Sequence, residues 1–323
     1  MTTLSKPVQS AFAPPPTFMG VPYRTEPGDA RAVILGLPFD CGAHPLRIGS
    51  RQGPASIRKQ SLLIRPIDAH TSQNPLDVLK VVDLGDARVT PGSIEPSYRA
   101  IEAALDFALA NGAVPITMGG DGAISLPEMR ALHRRYPKLV VVHLDAHTDA
   151  YPIDGYNTAT AFSRAFDEGL VDTRCSFHIG ARSSLIVPGV YEYGRQLGYR
   201  IVTTDELLGR GIATVFRELC DLIEDRPVYL CFDMDVFDPS VAPGVCTPAW
   251  GGLSTREGLA ALRGCAPLQI VGMNVNTISP PHDPADMSAF LAAHVMFEVI
   301  QILANKREGS RDCDPAAISL QKG

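Results

Sequence analysis

The chain has 323 residues, with 29 basic and 35 acidic side chains and a formal charge of −6. It shows no basic stripe of the kind that neutralises phosphates, which argues against a nucleic-acid partner. At this length a single large α/β sheet can bury one core, so one domain is expected. Residues 1–19 are rich in Pro, Ser and Thr but lack the basic start and continuous apolar run of a signal peptide. No apolar stretch is expected to span a membrane, so the reading is a soluble, cytoplasmic protein without a membrane partner. The seven cysteines, Cys41, Cys175, Cys220, Cys231, Cys246, Cys265 and Cys313, are odd in number and lack CxxC or finger spacing. Reduced, buried thiols are expected.

In chain order, an N-terminal arm over 1–29, including Pro14 to Pro16, has no periodicity and is assigned to mobility or oligomer contacts. Eight short β-branched runs follow, at 32–37, 78–83, 114–118, 139–145, 177–181, 200–203, 228–235 and 269–275. Between them 96–111, 205–224 and 255–262 carry apolar residues at helical spacing, with Thr204 and Ser254 placed as N-caps. Strands alternating with helices predict βαβ units, and strands apolar throughout predict a parallel sheet covered on both faces. The folded domain is drawn over 30–308, and 309–323 is left as a C-terminal tail.

Open parallel sheets bind ligands outside the carboxyl ends of their strands, and the polar motifs lie there. Gly119-Gly120-Asp121-Gly122-Ala123 follows the third run, Asp145-Ala146-His147-Thr148-Asp149 the fourth, and Asp233-Met234-Asp235 the seventh. Carboxylates so close raise one another's pKa unless a cation lies between them. Mixed Asp/His donors suit Mn²⁺, Ni²⁺ or Zn²⁺, and two ions ~3.5–4 Å apart support hydrolysis. The blander reading is a hydrogen-bonded cluster at strand ends. His143, inside an apolar run, reads as a core histidine and His133 as a surface one. His44 and His282 sit in loops, Cys246 reads as packing, and Phe237 and Trp250 as loop anchors. Gly119 to Gly122 lacks nucleotide-binding spacing.

These segments, with Gly36-Leu37-Pro38-Phe39-Asp40, Gly53-Pro54-Ala55-Ser56-Ile57-Arg58, Ile179-Gly180-Ala181-Arg182-Ser183 and Ala242-Pro243-Gly244, resemble the ureohydrolase (arginase/agmatinase) family in the family's own order. The resemblance implies a three-layer αβα sandwich around an eight-stranded, mostly parallel sheet. It also implies hydrolysis of a guanidino carbon. The implied metal ligands are Asp145, His147, Asp149, Asp233 and Asp235, but Gly122 stands where the family has a further histidine. Thr158 stands at a family histidine, Asn274 at an aspartate, and Thr277 at a glutamate that pairs with the guanidinium. Losing that charge-assisted contact costs roughly 1.5–3 kcal/mol. At most one ion, Mn²⁺ or Ni²⁺, or none, is therefore expected. No catalytic residue is assigned, and Asn157, Thr158, Cys246, Asn274, Thr277 and His282 are placed on the substrate cleft.

Losses confined to the site, with the scaffold kept, point to a degenerate subunit. It would assemble with an active ureohydrolase paralogue acting on small guanidino or biguanide compounds. This resembles the partner chain of hetero-oligomeric hydrolases of the metformin hydrolase type. The alternative is an active homo-oligomeric agmatinase- or guanidinobutyrase-like amidinohydrolase, a trimer or hexamer by resemblance, with a remodelled single-metal site in which His143 or His282 supplies an imidazole. A third reading is a module that binds a guanidino ligand without turnover.

Overall fold

Within the apolar run 140–144 every residue is buried, yet Val140, Val142 and Leu144 pack in one hydrophobic cluster while Val141 packs in another. Alternate side chains of a strand point to opposite faces, so the run lies in a sheet with a core on each side. The computed structural model describes residues 16–311 apart from 42–44, 70 and 183. Among the described residues there are eight strands: β1 (Ala32–Leu37), β2 (Val82–Asp86), β3 (Val114–Gly119), β4 (Val140–Leu144), β5 (Phe177–Ala181), β6 (Arg200–Thr203), β7 (Pro227–Asp233) and β8 (Gln269–Asn276). They form one sheet in the order β2-β1-β3-β8-β7-β4-β5-β6, every pair parallel.

The helices are α1 (Gly53–Ser61), α2 (Pro75–Val78), α3 (Ile94–Ala110), α4 (Ser125–Arg135), α5 (Ala161–Asp167), α6 (Val190–Gln196), α7 (Thr204–Arg210), α8 (Ile212–Ile223), α9 (Thr255–Gly264) and α10 (Met287–Arg311). Ile101 and Leu105 of α3, Met129 and Leu132 of α4 and Phe162 of α5 join one cluster. Ile57 of α1, Phe216 and Leu219 of α8, Leu262 of α9 and Met296 and Ile300 of α10 join the other. The result is the expected three layers.

Local chemistry moves several boundaries. The second strand begins at Val82, not at 78, because Asn74 accepts from Leu76 N and Pro75 opens a short helix that runs to Val78, a start signal hidden inside an apolar stretch. The helix expected over 205–224 is two helices, broken at Gly211 with φ 83° and ψ 130°. Its first cap is Thr203, not Thr204: the Thr203 hydroxyl accepts from Glu206 N while Glu206 reaches back to Thr203 N. Ser254 and Glu257 form the same reciprocal box on α9.

The arm drawn over 1–29 is packed from residue 16 onward: Phe18 is fully buried and its N–H donates to Asp83 Oδ2 at 3.0 Å. Residues 1–15 and 312–323, with Pro14, Pro15 and Cys313, and the loop residue His44, lie outside the described residues. One stretch, 284–306, is long and apolar enough to cross a membrane, contrary to expectation, but 61% of its apolar window is buried inside the fold. It serves as the core helix α10.

Arg58 of α1 ties the sheet edge. Its Nε and Nη2 donate to the two oxygens of Asp83 at 2.8 and 2.9 Å, and Nη1 reaches Asp86 at 2.5 Å. Asp83 is wholly buried. Arg58→Ala, which strands that carboxylate, should therefore cost about 3–5 kcal/mol in urea unfolding; a loss below 1 kcal/mol would contradict the assignment.

Candidate metal centre and cleft

The strand order brings the carboxyl ends of β3, β8, β7 and β4 side by side at the middle of the sheet. Register then aligns their polar positions. Thr117 pairs with Asn274, Asn274 with Cys231, Cys231 with His143 and His143 with His178, a polar row across five neighbouring strands. Two residues further along, Asp233 pairs with Asn276 and Asp145 leaves the end of β4. With a side-chain period of two, both rows face the same way.

Asp145, Asp149, Asp233 and Asp235 are all buried, at 1, 4, 1 and 1% exposure. Donor atoms of Asp145, His147 and Asp235 lie within 4.8 Å of one another, as do those of His143, Asp145, Asp149 and Asp233. His147 Nδ1 is 3.2 Å from Asp145 Oδ1 and 3.6 Å from Asp235 Oδ2. Asp235 Oδ2 also accepts from the Thr247 hydroxyl at 2.8 Å. Burial, reinforced by the Asp145 charge, lifts Asp149 and Asp235 well above the usual carboxylate range, and Asp233 above it too. Asp145 moves the other way: burial opposes it, but His147 and His143 hold it well below that range. A bound divalent cation would override this order.

Asp145, His147 and Asp235 fit an ion. Asp235 Oδ1 is buried without a hydrogen-bond partner, an expensive state for a carboxylate that a cation beside Asp145 and His147 relieves. On the Asp149 side His143, Asp145, Asp149 and Asp233 bring donor atoms within reach of one another, but Gly122 adds none. A Cβ built there would stand 2.9 Å from Asp149 Oδ2, 3.4 Å from Asp233 Oδ2 and 2.8 Å from the Thr158 methyl. Position 122 thus faces the carboxylates and offers them nothing.

Above the cluster lies a cavity of about 20 Å³ lined by Ser50, Asp121, Thr158, Cys246, Thr247 and Thr277 among others, room for about one water. A far larger groove, about 960 Å³, runs along α9 and α10, but none of the metal-set residues reaches it. Thr277 has φ 66° and Asp149 φ 47°, a costly backbone for non-glycine residues that clusters at functional sites. The Thr277 hydroxyl accepts from Met234 N at 3.0 Å and donates to Asn276 O at 2.7 Å, so it serves the backbone.

Thr158, Cys246 and Thr277 therefore sit on the cleft. Asn157 caps the turn at Thr158–Thr160. His282 is held by Ser279 Oγ at 2.8 Å and touches none of the carboxylates. Asn274, expected on the cleft, is instead buried inside the sheet, where its amide donates to Glu128 Oε2 at 2.6 Å. Trp250 is 76% exposed rather than an anchor.

The inner network escaped sequence reading. Glu128 of α4 accepts from Thr117 and Tyr229 as well as Asn274. Asn276 Nδ2 links Asn274 Oδ1 at 3.1 Å to Asp233 Oδ1 at 2.8 Å. The available signal was the polar residue at every second position of otherwise apolar strands.

The arginase family model matches residues 30–301. The chain belongs to the arginase family. It is 36% identical to a guanidinopropionase of Pseudomonas aeruginosa over 91% of this chain and 93% of that protein. A guanidinobutyrase of the same organism is 34% identical, over 89 and 92%. The solved proclavaminate amidino hydrolase from Streptomyces clavuligerus superposes with a TM-score of 0.86 at 34% identity, covering 90% of this chain and 98% of that one. The eight-stranded parallel sheet of this arginase-family chain is thus the fold of that relative.

Glu128 gives the inner network a pH signature. Burial, against the three donors, lifts its carboxyl to about 7, compared with about 4.3 for an unfolded chain. The folded state then holds the proton more tightly between those values. Its contribution to stability is present at acid pH and fades as pH rises through that window, by up to about 3 kcal/mol. Urea unfolding at pH 5 and pH 7.5 should show this fall in the wild type, and Glu128→Gln should lack it; equal slopes would refute the assignment.

Proposed function

We propose that this chain is the degenerate, supporting subunit of a metal-dependent hydrolase of guanidino or biguanide compounds. It would be paired in a soluble, cytoplasmic hetero-oligomer with a metal-competent paralogue. The observation that carries the reading is Gly122, which faces Asp149 and Asp233 at contact distance without a donor. The rest of the cleft agrees with it. A Thr158 hydroxyl cannot move a proton near neutrality as an imidazole does, and Thr277 offers no charge to a guanidinium. Asp121, which lines the cleft, is lifted by burial to about 6, but both its oxygens are held by the N–H groups of Cys41 and Ala123. The named activities of the similar guanidinopropionase and guanidinobutyrase support a guanidino substrate for the assembly.

Asp145, His147 and Asp235, with Asp233 close by, would hold one Mn²⁺ or Ni²⁺. When bound, such an ion supplies Lewis-acid activation of water. This intact set also favours the second reading, an active homo-oligomeric amidinohydrolase with a single-metal site.

The two part on turnover. The chain purified alone and supplied with Mn²⁺ or Ni²⁺ should release urea from guanidinobutyrate, agmatine or a biguanide at least 10²-fold below the ordinary range of about 1–10³ s⁻¹. The triple variant Gly122→His, Thr158→His, Thr277→Glu should raise that rate. Full activity of the unaltered chain would establish the second reading instead.

A further inference from the structure

One segment singled out in the sequence, Ile179-Gly180-Ala181-Arg182, supplies no side-chain donor to the acidic cluster, yet its backbone lies against Asp145: a Cβ at Gly180 would stand 2.8 Å from Asp145 O. Arg182 follows the end of β5, and its main-chain N–H donates at 2.9 Å to Ala146 O, the carbonyl between Asp145 and His147. Its side chain turns to the loop after β7. Nη2 donates to Asp235 O at 2.7 Å, to Phe237 O at 3.2 Å and to Ala249 O at 2.8 Å. Nη1 donates to Val236 O and Gly180 O at 3.2 Å each, and Nε to Trp250 O at 3.2 Å. A guanidinium presents five N–H groups in a rigid fork, and here the fork is spent on main-chain carbonyls. Gly252 leaves room for it, since a Cβ there would stand 2.4 Å from Nη2.

We propose that Arg182 is the positioning residue of the Asp145, His147 and Asp235 site: it fixes the spacing of the two segments that carry these donors, and so sets the affinity for a divalent ion. The β4–β7 ladder ends at Leu144 and Phe232. His147 and Asp235 therefore lie on turns beyond it, and Arg182 continues the connection where the ladder stops. It holds the first turn by its N–H on Ala146 O. It holds the second by Asp235 O directly, and again through Ala249, two residues after the Thr247 whose hydroxyl orients Asp235 Oδ2 at 2.8 Å. A donor set already held at its spacing needs no ordering when the ion arrives, which is why such outer partners govern metal affinity. The fold does not hang on the clamp. Leu253 N donates to Val236 O, Asp238 N to Leu253 O, and the N–H groups of Gly251 and Gly252 to Asp238 Oδ2, so the two loops stay joined at their far ends without it. The inference rests on the reading of Asp145, His147 and Asp235 as an ion site and is independent of turnover.

The test is Mn²⁺ titration calorimetry on the full chain in the assembly it natively forms, stripped with a chelator and held well below its melting temperature. Arg182→Ala should raise the Kd about 10–100-fold, and Arg182→Lys, which keeps the charge without the fork, should recover only part of that loss. Thr247→Val should also weaken binding, but should add little on top of Arg182→Ala, because both act through Asp235. Arg58→Ala, at the β2 edge of the sheet, should lower the melting temperature and leave the Kd unchanged, which separates positioning from general loosening. A folded Arg182→Ala chain that binds Mn²⁺ as the wild type does would overturn the proposal and leave the ion site standing, whereas a wild-type chain that binds no Mn²⁺ would end both. Should Arg182→Ala not fold, Arg182→Lys decides alone: a Kd raised about threefold or more supports the clamp, and an unchanged Kd refutes it.

Discussion

Four carboxylates buried within a few ångströms of one another set the terms for everything around them. Like charges at that distance in a dry interior cannot all ionise unless something positive, or a set of donors, stands between them. The chain meets the requirement in layers. His147 and Thr247 approach Asp145 and Asp235 from the open side, while His143, Asn276 and Cys231 approach from inside the sheet. The inner layer exists because the sheet is parallel and doubly covered. Every second residue of β4, β7 and β8 shares the face of the acidic row, and the register places those residues next to one another. The site is thus a property of strand order and side-chain period before it is a property of any one loop.

The architecture was legible because its signals are local and repeated. Apolar runs with β-branched residues mark β1, β5 and β6 to the residue, and Ser254 marks the start of α9. The errors arose where two local signals overlapped. A short helix opened by Asn74 and Pro75 runs into the start of the apolar run at 78–83, and Gly211 interrupts a pattern that is helical on both sides. The metal-set residues were visible because acidic clusters after strands are conspicuous. Their supports were not: Glu128 looks like an ordinary surface residue of a helix, and its burial follows only once α4 is laid against β3, β7 and β8. Asn274 misled for the same reason, since one strand gives alternation but does not tell which neighbour fills the space behind it.

Glu128 and Asn274 also show that the departures from the family pattern are structurally coupled. An aspartate at 274, as the family pattern has it, would lie about where the Asn274 amide now donates to Glu128 at 2.6 Å. Two carboxylates would then meet in a fully buried space. The amide turns that repulsion into a hydrogen bond, and its own oxygen accepts from Asn276, which in turn holds Asp233. A change that looks on paper like the loss of a site residue is, in the folded chain, one link of a continuous hydrogen-bonded path from α4 to the acidic cluster.

The same coupling explains how a site can lose its ordinary chemistry while its shape persists. Gly122 removes a donor on the open side, where burial beside Asp145 and Asp233 lifts Asp149 well above the usual carboxylate range, so that it can stay protonated there. Removing a member of the inner row would strand partners with no access to water, at a cost of about 1–3 kcal/mol for each unsatisfied group. The open side of the cluster is therefore free to change with little loss of stability, and the buried side is not. A scaffold that keeps Asp145 and Asp233 packed against His143 and Asn276 is what folding alone demands once those carboxylates are buried, whether or not the cleft above them performs hydrolysis.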